Sequence, residues 1–78
     1  MKMIEIDLKL FVTLAKYLPE ENEPFRVAPG TTVEMVMKQL NIPENLVKLI
    51  FINGRREKPG YVLQQNDRLG LFPPVGGG

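Results

Sequence analysis

Residues 31–40 read TTVEMVMKQL, and the fold turns on them, because they carry the clearest helical pattern in the chain. Val33, Val36, Met37 and Leu40 fall at i, i+3, i+4 and i+7, one apolar stripe along an α-helix. Thr31 and Glu34 have the S/T-x-x-E spacing of a capping box, which predicts that the helix starts at Thr31. The pattern runs out at Asn41, and Pro43 confirms the stop. Apolar residues at this spacing pack against a core, so the helix needs a sheet to cover.

Strands on both sides supply that sheet. Upstream, Ile4, Ile6, Leu8 and Leu10 alternate with Glu5, Asp7 and Lys9, the period of two of a half-buried strand. A short helical segment over roughly Thr13 to Leu18 follows and ends at Pro19. PEENEP is a polar loop whose Glu20, Glu21 and Glu23 fit no calcium-loop spacing. Phe25 and Val27 flank Arg26 in a second short strand, stopped by Pro29-Gly30 and paired antiparallel with the first. Downstream, a strand begins near Lys48 and runs to Ile52. Asn53-Gly54, both tolerant of positive φ, then marks a hairpin and is read as a turn only. Arg55 to Lys58 is the expected return strand, ended by Pro59-Gly60. After a connecting segment through Tyr61, Val62 and Leu63 and a turn at Asn66-Asp67, Arg68 to Phe72 is the last strand. Pro73-Pro74 cannot continue it in a ladder.

The order is strand, strand, helix, strand, short strand, strand. A small mixed sheet with one helix across one face buries both the alternating strands and the helix stripe. This is the α+β, β-grasp arrangement, with the first and last strands side by side at the centre. Residues 1–72 are expected to form the domain and 73–78 an extended tail.

Composition excludes several classes of function. With 78 residues there is room for one domain, and 44% hydrophobic with 24% charged residues suits a folded globule. There is no cysteine, which removes disulfides, thiolate metal sites and a cysteine nucleophile. There is no histidine, which removes the commonest general base and metal ligand. A self-contained catalytic centre and a metal site are therefore not expected. The net charge of +1 is spread along the chain, without the one-sided basic patch of a nucleic-acid binder. No apolar run suits a membrane span, and MKMIEIDLKL lacks a signal-peptide block. The chain is expected to be cytoplasmic.

Leu71 to Gly78 read LFPPVGGG. Beyond Phe72 the tail can extend at most about 20 Å. Pro73 and Pro74 are expected to be stiff and to project outward, whereas Gly76, Gly77 and Gly78 have no Cβ and fit a narrow channel. An α-carboxylate at Gly78 is ionised at neutral pH, its ordinary pKa being about 3.5. Leu69 and Leu71 share one face of the last strand, so Phe72 points to the other with Gly70, beside the tail. An aromatic there suits either a partner's docking surface or the core. Arg55 and Arg56, with Lys58, suit an electrostatic contact with the same partner, or a solvated hairpin.

The element order, the Asn53-Gly54 hairpin, Phe72-Pro73-Pro74 and the Gly77-Gly78 ending resemble the ubiquitin-like sulfur carriers. Among these, the small subunit of molybdopterin synthase typically carries the phenylalanine and two prolines before a glycine pair. The thiamine sulfur carrier is similar but usually lacks the double proline. The chain departs from the pattern at Gly76, where the family commonly has a small non-glycine residue. The resemblance implies a carrier rather than an enzyme, and no cofactor bound by the chain itself. A ubiquitin-activating-type adenylating enzyme would use ATP on the Gly78 carboxylate, with Pro73, Pro74, Val75, Gly76 and Gly77 as the segment in its channel. A persulfide donor would then leave a thiocarboxylate on Gly78. The large subunit of a molybdopterin-synthase-like enzyme would accept the sulfur. Thiamine-type and other biosynthetic carriers, a protein modifier forming isopeptide bonds, and a plain interaction module remain alternatives.

Overall fold

The computed structural model describes residues 2–18 and 25–74. Strand β1 (Ile4–Leu10) buries Ile6, Leu8 and Leu10 and leaves Lys9 exposed, as its period of two requires. It pairs antiparallel with β2 (Phe25–Val27) and parallel with the last strand, β5 (Arg68–Phe72), in the register Leu8 to Leu69 and Leu10 to Leu71. On its other side β5 pairs antiparallel with β3 (Leu49–Ile52), which turns into β4 (Arg55–Arg56). The five-stranded order is β2-β1-β5-β3-β4, so the first and last strands do occupy the centre. This is the ubiquitin-like β-grasp fold.

Helix α1 (Val33–Gln39) lays Val33, Val36 and Met37 into one core with Ile6, Leu8, Ile50, Ile52, Leu69 and Leu71. Its start lies one residue later than the sequence pattern predicts. Thr32, not Thr31, is the N-cap: its Oγ1 accepts from the Met35 N–H at 3.2 Å, and Met35 Sδ accepts from the Thr32 N–H at 3.4 Å. Thr31 is buried, and its backbone is engaged elsewhere, with its N–H donating to Ala28 and its carbonyl accepting from Leu63. Glu34 is not needed as a cap, because the Val33 and Glu34 N–H groups donate to the Tyr61 and Pro59 carbonyls at 3.0 and 2.9 Å. The helix ends in a Schellman arrangement. Asn41 takes φ 63°, its N–H donates to Lys38, and the Ile42 N–H donates to Met37.

Two further departures have local causes. The first helical segment is a 3₁₀ turn over Val12–Tyr17 that buries only Leu14. Its first residue, Val12, sits at φ 56° while 73% exposed, a conformation that a β-branched side chain adopts only under strain. β4 is two residues rather than four: one more backbone bond, Glu57 N–H to Ile50, precedes Pro59, which has no N–H to offer. The hairpin has φ 54° at Asn53 and 84° at Gly54, the positive pair of a type I′ turn. Glu20, Glu21 and Glu23 lie outside the described residues. Among those described, no helix is long and apolar enough to cross a membrane.

Candidate functional site

The chain leaves the sheet from its middle. At the end of β5 the Phe72 carbonyl accepts from the Lys48 N–H at 2.8 Å, and the Leu71 carbonyl from Phe11 at 3.1 Å. Pro73 has no N–H, so the ladder stops there. Pro73 is itself buried, which corrects the expectation that both prolines project outward; only Pro74 is exposed. The base of the tail is therefore packed into the domain. Val75, Gly76, Gly77 and Gly78 lie outside the described residues.

Phe72 lies on the sheet face opposite α1, in phase with Gly70 and out of phase with the fully buried Leu69 and Leu71. It is half-buried, and it has company that the sequence reading missed. Phe11 stacks on it with ring centroids 4.2 Å apart and planes 7° from parallel. Phe51 meets it edge-on at 5.5 Å and 82°. Gly70 lies beside the rings, where a Cβ would meet the Phe11 ring at 3.4 Å and that of Phe72 at 3.7 Å, ordinary van der Waals contact. Together these residues line an open groove of about 300 Å³ with Lys9, Gly54 and Arg68 at its sides. Phe51 could have been found from the alternation in Leu49–Ile52, where only Ile50 and Ile52 are buried. Phe11 could not, because only the parallel β1–β5 register brings it beside Phe72.

The two hairpin arginines are both exposed but do not share a side. Residues paired across an antiparallel ladder point the same way. Arg56 opposes Phe51 and so shares the aromatic face, whereas Arg55 opposes Ile52, which faces the core.

At the opposite end of β5 is a polar cluster where the sequence predicts turns at Asn53-Gly54 and Asn66-Asp67 and a connecting segment through Tyr61. Asp67 is 5% exposed, and its carboxylate accepts from Asn53 Nδ2, Tyr61 Oη and the Gln64 N–H, each at 2.9 Å. Asn53 Oδ1 in turn accepts from the Arg68 N–H at 2.9 Å, so Asn53 is a strut as well as a turn residue. Burial, then the hydrogen bond to Asp67, then the negative charges of Asp67 and Glu57 raise the Tyr61 phenol above its ordinary 10.0. The Asp67 carboxylate is filled by donors of the domain itself, which marks this cluster as a structural pin. Among the described residues no group of His, Cys, Asp or Glu could hold a metal ion.

A family model, described as the ThiS family, matches residues 8–78. Two solved structures from Haloferax volcanii share the fold. The solution structure of the HVO 2177 protein superposes with a TM-score of 0.76 at 24% identity, over 97% of this chain and 88% of that one. The crystal structure of SAMP1 gives 0.67 at 24% identity, over 95% of this chain and 99% of that one. No curated protein matches the chain significantly.

Proposed function

The chain belongs to the ThiS family of ubiquitin-like sulfur carriers, and on that premise we propose that it delivers sulfur from the α-carboxyl carbon of Gly78 in molybdopterin (molybdenum or tungsten cofactor) biosynthesis. The supporting observation is the exit of the chain from the central strand through buried Pro73, followed by Pro74, Val75 and three glycines. A rigid base under a narrow tip lets a partner grip the domain while its channel holds the end. Such placement supplies much of the rate in any two-centre reaction.

The carboxylate attacks the α-phosphorus of ATP held by an adenylating partner, giving the acyl adenylate and pyrophosphate. A partner's persulfide displaces AMP, and a thiol cleaves the resulting acyl disulfide to leave the thiocarboxylate. ATP, persulfide and acceptor all belong to partners, so the chain is a co-substrate in the cytoplasm and the small subunit of the acceptor enzyme. Phe72-Pro73-Pro74 favours a pterin-precursor acceptor over a thiamine-type one. The test is ATP–pyrophosphate exchange with the host's adenylating enzyme. Full-length protein is expected to support exchange. The chain lacking Gly77-Gly78 should melt at the same temperature and support none. Retained exchange in the truncated chain would overturn the proposal, and ladders of conjugated protein in host extract would favour the protein modifier.

A further inference from the structure

We propose that Asn53-Gly54 is a self-modifying site. When the β3–β4 hairpin opens, Asn53 loses its side-chain amide as ammonia, and the product then keeps the hairpin from closing as before. The proposal stands apart from the carrier function and uses no residue of the tail.

The first ground is the chemistry of the pair. The Gly54 backbone nitrogen attacks the Asn53 side-chain carbon Cγ, and an N–Cγ bond forms as the Cγ–Nδ2 bond breaks. The proton of that nitrogen leaves with Nδ2 as ammonia. Water then opens the cyclic imide to aspartate or isoaspartate, so water is consumed, ammonia is released and nothing is oxidised or reduced. Glycine permits the attack because it has no Cβ to shield its nitrogen. The other asparagines lack this neighbour: Asn22, Asn41, Asn45 and Asn66 precede Glu23, Ile42, Leu46 and Asp67. Asn53 and Gly54 are both exposed, and a Cβ on Gly54 would meet nothing within 4 Å, so water reaches the turn.

The second ground is that the folded hairpin holds this reaction back. Asn53 Nδ2 donates to Asp67 Oδ1, and Asn53 Oδ1 accepts from the Arg68 N–H, each at 2.9 Å. The Asn53 N–H also donates to the Arg68 carbonyl at 3.0 Å. To close the ring, Asn53 must turn its side chain onto its own backbone, which means releasing both side-chain bonds. Local opening supplies that release. β4 spans only Arg55–Arg56 and lies at the edge of the sheet, and such elements open at less cost than the whole domain.

The third ground is what the product meets on closing. Asp67 is 5% exposed; its Oδ2 accepts from Tyr61 Oη and the Gln64 N–H, while its Oδ1 accepts from Asn53 Nδ2. In the aspartate product an oxygen replaces Nδ2, so two carboxylates face each other across a contact that was 2.9 Å. Like charges this close repel, and the buried Asp67 Oδ1 loses its donor. Isoaspartate instead adds a methylene to the main chain, which the tight I′ turn of Asn53 and Gly54 has no room to absorb. Either product breaks the pin, and neither reverts to asparagine, so the step runs one way.

The experiment is ageing of the full chain in mildly alkaline buffer, read by intact mass and by fragmentation around Asn53. The folded parent should convert about tenfold or more slowly than a peptide of residues 50–57, and unfolding it in urea should remove the difference. Asp67→Asn turns an amide toward Asn53 Nδ2 and should convert several-fold faster than the parent. The deamidated chain, separated by ion exchange and refolded, should melt about 5 °C or more below the parent, as should Asn53→Asp. The separated chain keeps the test open if Asn53→Asp fails to fold. If Asp67→Asn fails to fold, the comparison of folded parent with peptide decides. Conversion of the folded parent at the peptide's rate, or an equal rate in folded Asp67→Asn, would overturn the hold. A deamidated chain as stable as the parent would overturn the one-way step, and no conversion at Asn53 even in urea would overturn the site itself.

Discussion

Replacing Asp67 by alanine should cost the domain about 3 kcal/mol, and the figure follows from what the carboxylate holds. Three donors meet it at 2.9 Å: Asn53 Nδ2, Tyr61 Oη and the Gln64 N–H. Hydrogen bonds to charged groups contribute about 1.5–3 kcal/mol each when the donor has no alternative. Asn53 and Gln64 are exposed and Tyr61 is half-buried, so all three can turn to water. About 1 kcal/mol for each is therefore the appropriate scale. A domain of this length has roughly 4–12 kcal/mol in total, so the loss is a large share. At about 4–8 °C per kcal/mol, the melting temperature should fall by roughly 12–24 °C. Asp67→Asn should fall between alanine and the parent. Its amide would meet the Asn53 amide donor to donor, and Asn53 cannot flip while its Oδ1 holds the Arg68 N–H. Urea titrations of Asp67→Ala, Tyr61→Phe and the double variant complete the assay, with a coupling of about 1 kcal/mol expected. A loss under about 0.5 kcal/mol for Asp67→Ala, the scale of an ordinary surface change, would refute the pin.

Tyr61 gives the domain a pH dependence of definite sign. Its phenol is raised above 10.0, so the folded state keeps the proton after the unfolded state has lost it. That contribution is complete below pH 10 and is lost as pH rises through the folded value. Urea midpoints for the parent and Tyr61→Phe should therefore converge above pH 10, and a constant gap would contradict the assignment. Val12→Gly should raise stability by about 1 kcal/mol, because relief of a left-handed valine exceeds the entropy that glycine adds to the unfolded chain. A lower melting temperature would show that the strain is absent. Phe72→Ala should cost about 2 kcal/mol of stability, less than the roughly 3–5 kcal/mol of a fully buried phenylalanine, because the ring is half-exposed. It should also weaken the complex with the adenylating enzyme by about 2 kcal/mol. Equal affinity in calorimetric titration would remove Phe72 from the interface.

The parts of the fold legible in the sequence were those set by local periodicity. Ile4–Leu10 and Arg68–Phe72 announce their buried faces by alternation, and Val33, Val36 and Met37 announce theirs by helical spacing. The same parity places Phe72 opposite Leu69 and Leu71, as their burial shows. What escaped depends on chain segments far apart. The helix starts at Thr32 because Pro59 and Tyr61 satisfy the first-turn donors, so the Thr31–Glu34 spacing had nothing to cap. Asp67 looks like any turn aspartate until Asn53 and Tyr61 close over it. Phe11 becomes part of a site only through the β1–β5 register.

The central claim is that Gly78 carries sulfur, and the most direct measurement is the intact mass of the protein purified under non-reducing conditions from its native host. A fraction heavier by the exchange of one oxygen for one sulfur is expected, with the change localised to Gly78 by fragmentation. The heavier species should disappear when the host's adenylating enzyme is deleted. A single species of unmodified mass in cells with an active pathway, or a sulfur placed anywhere but on Gly78, would contradict it.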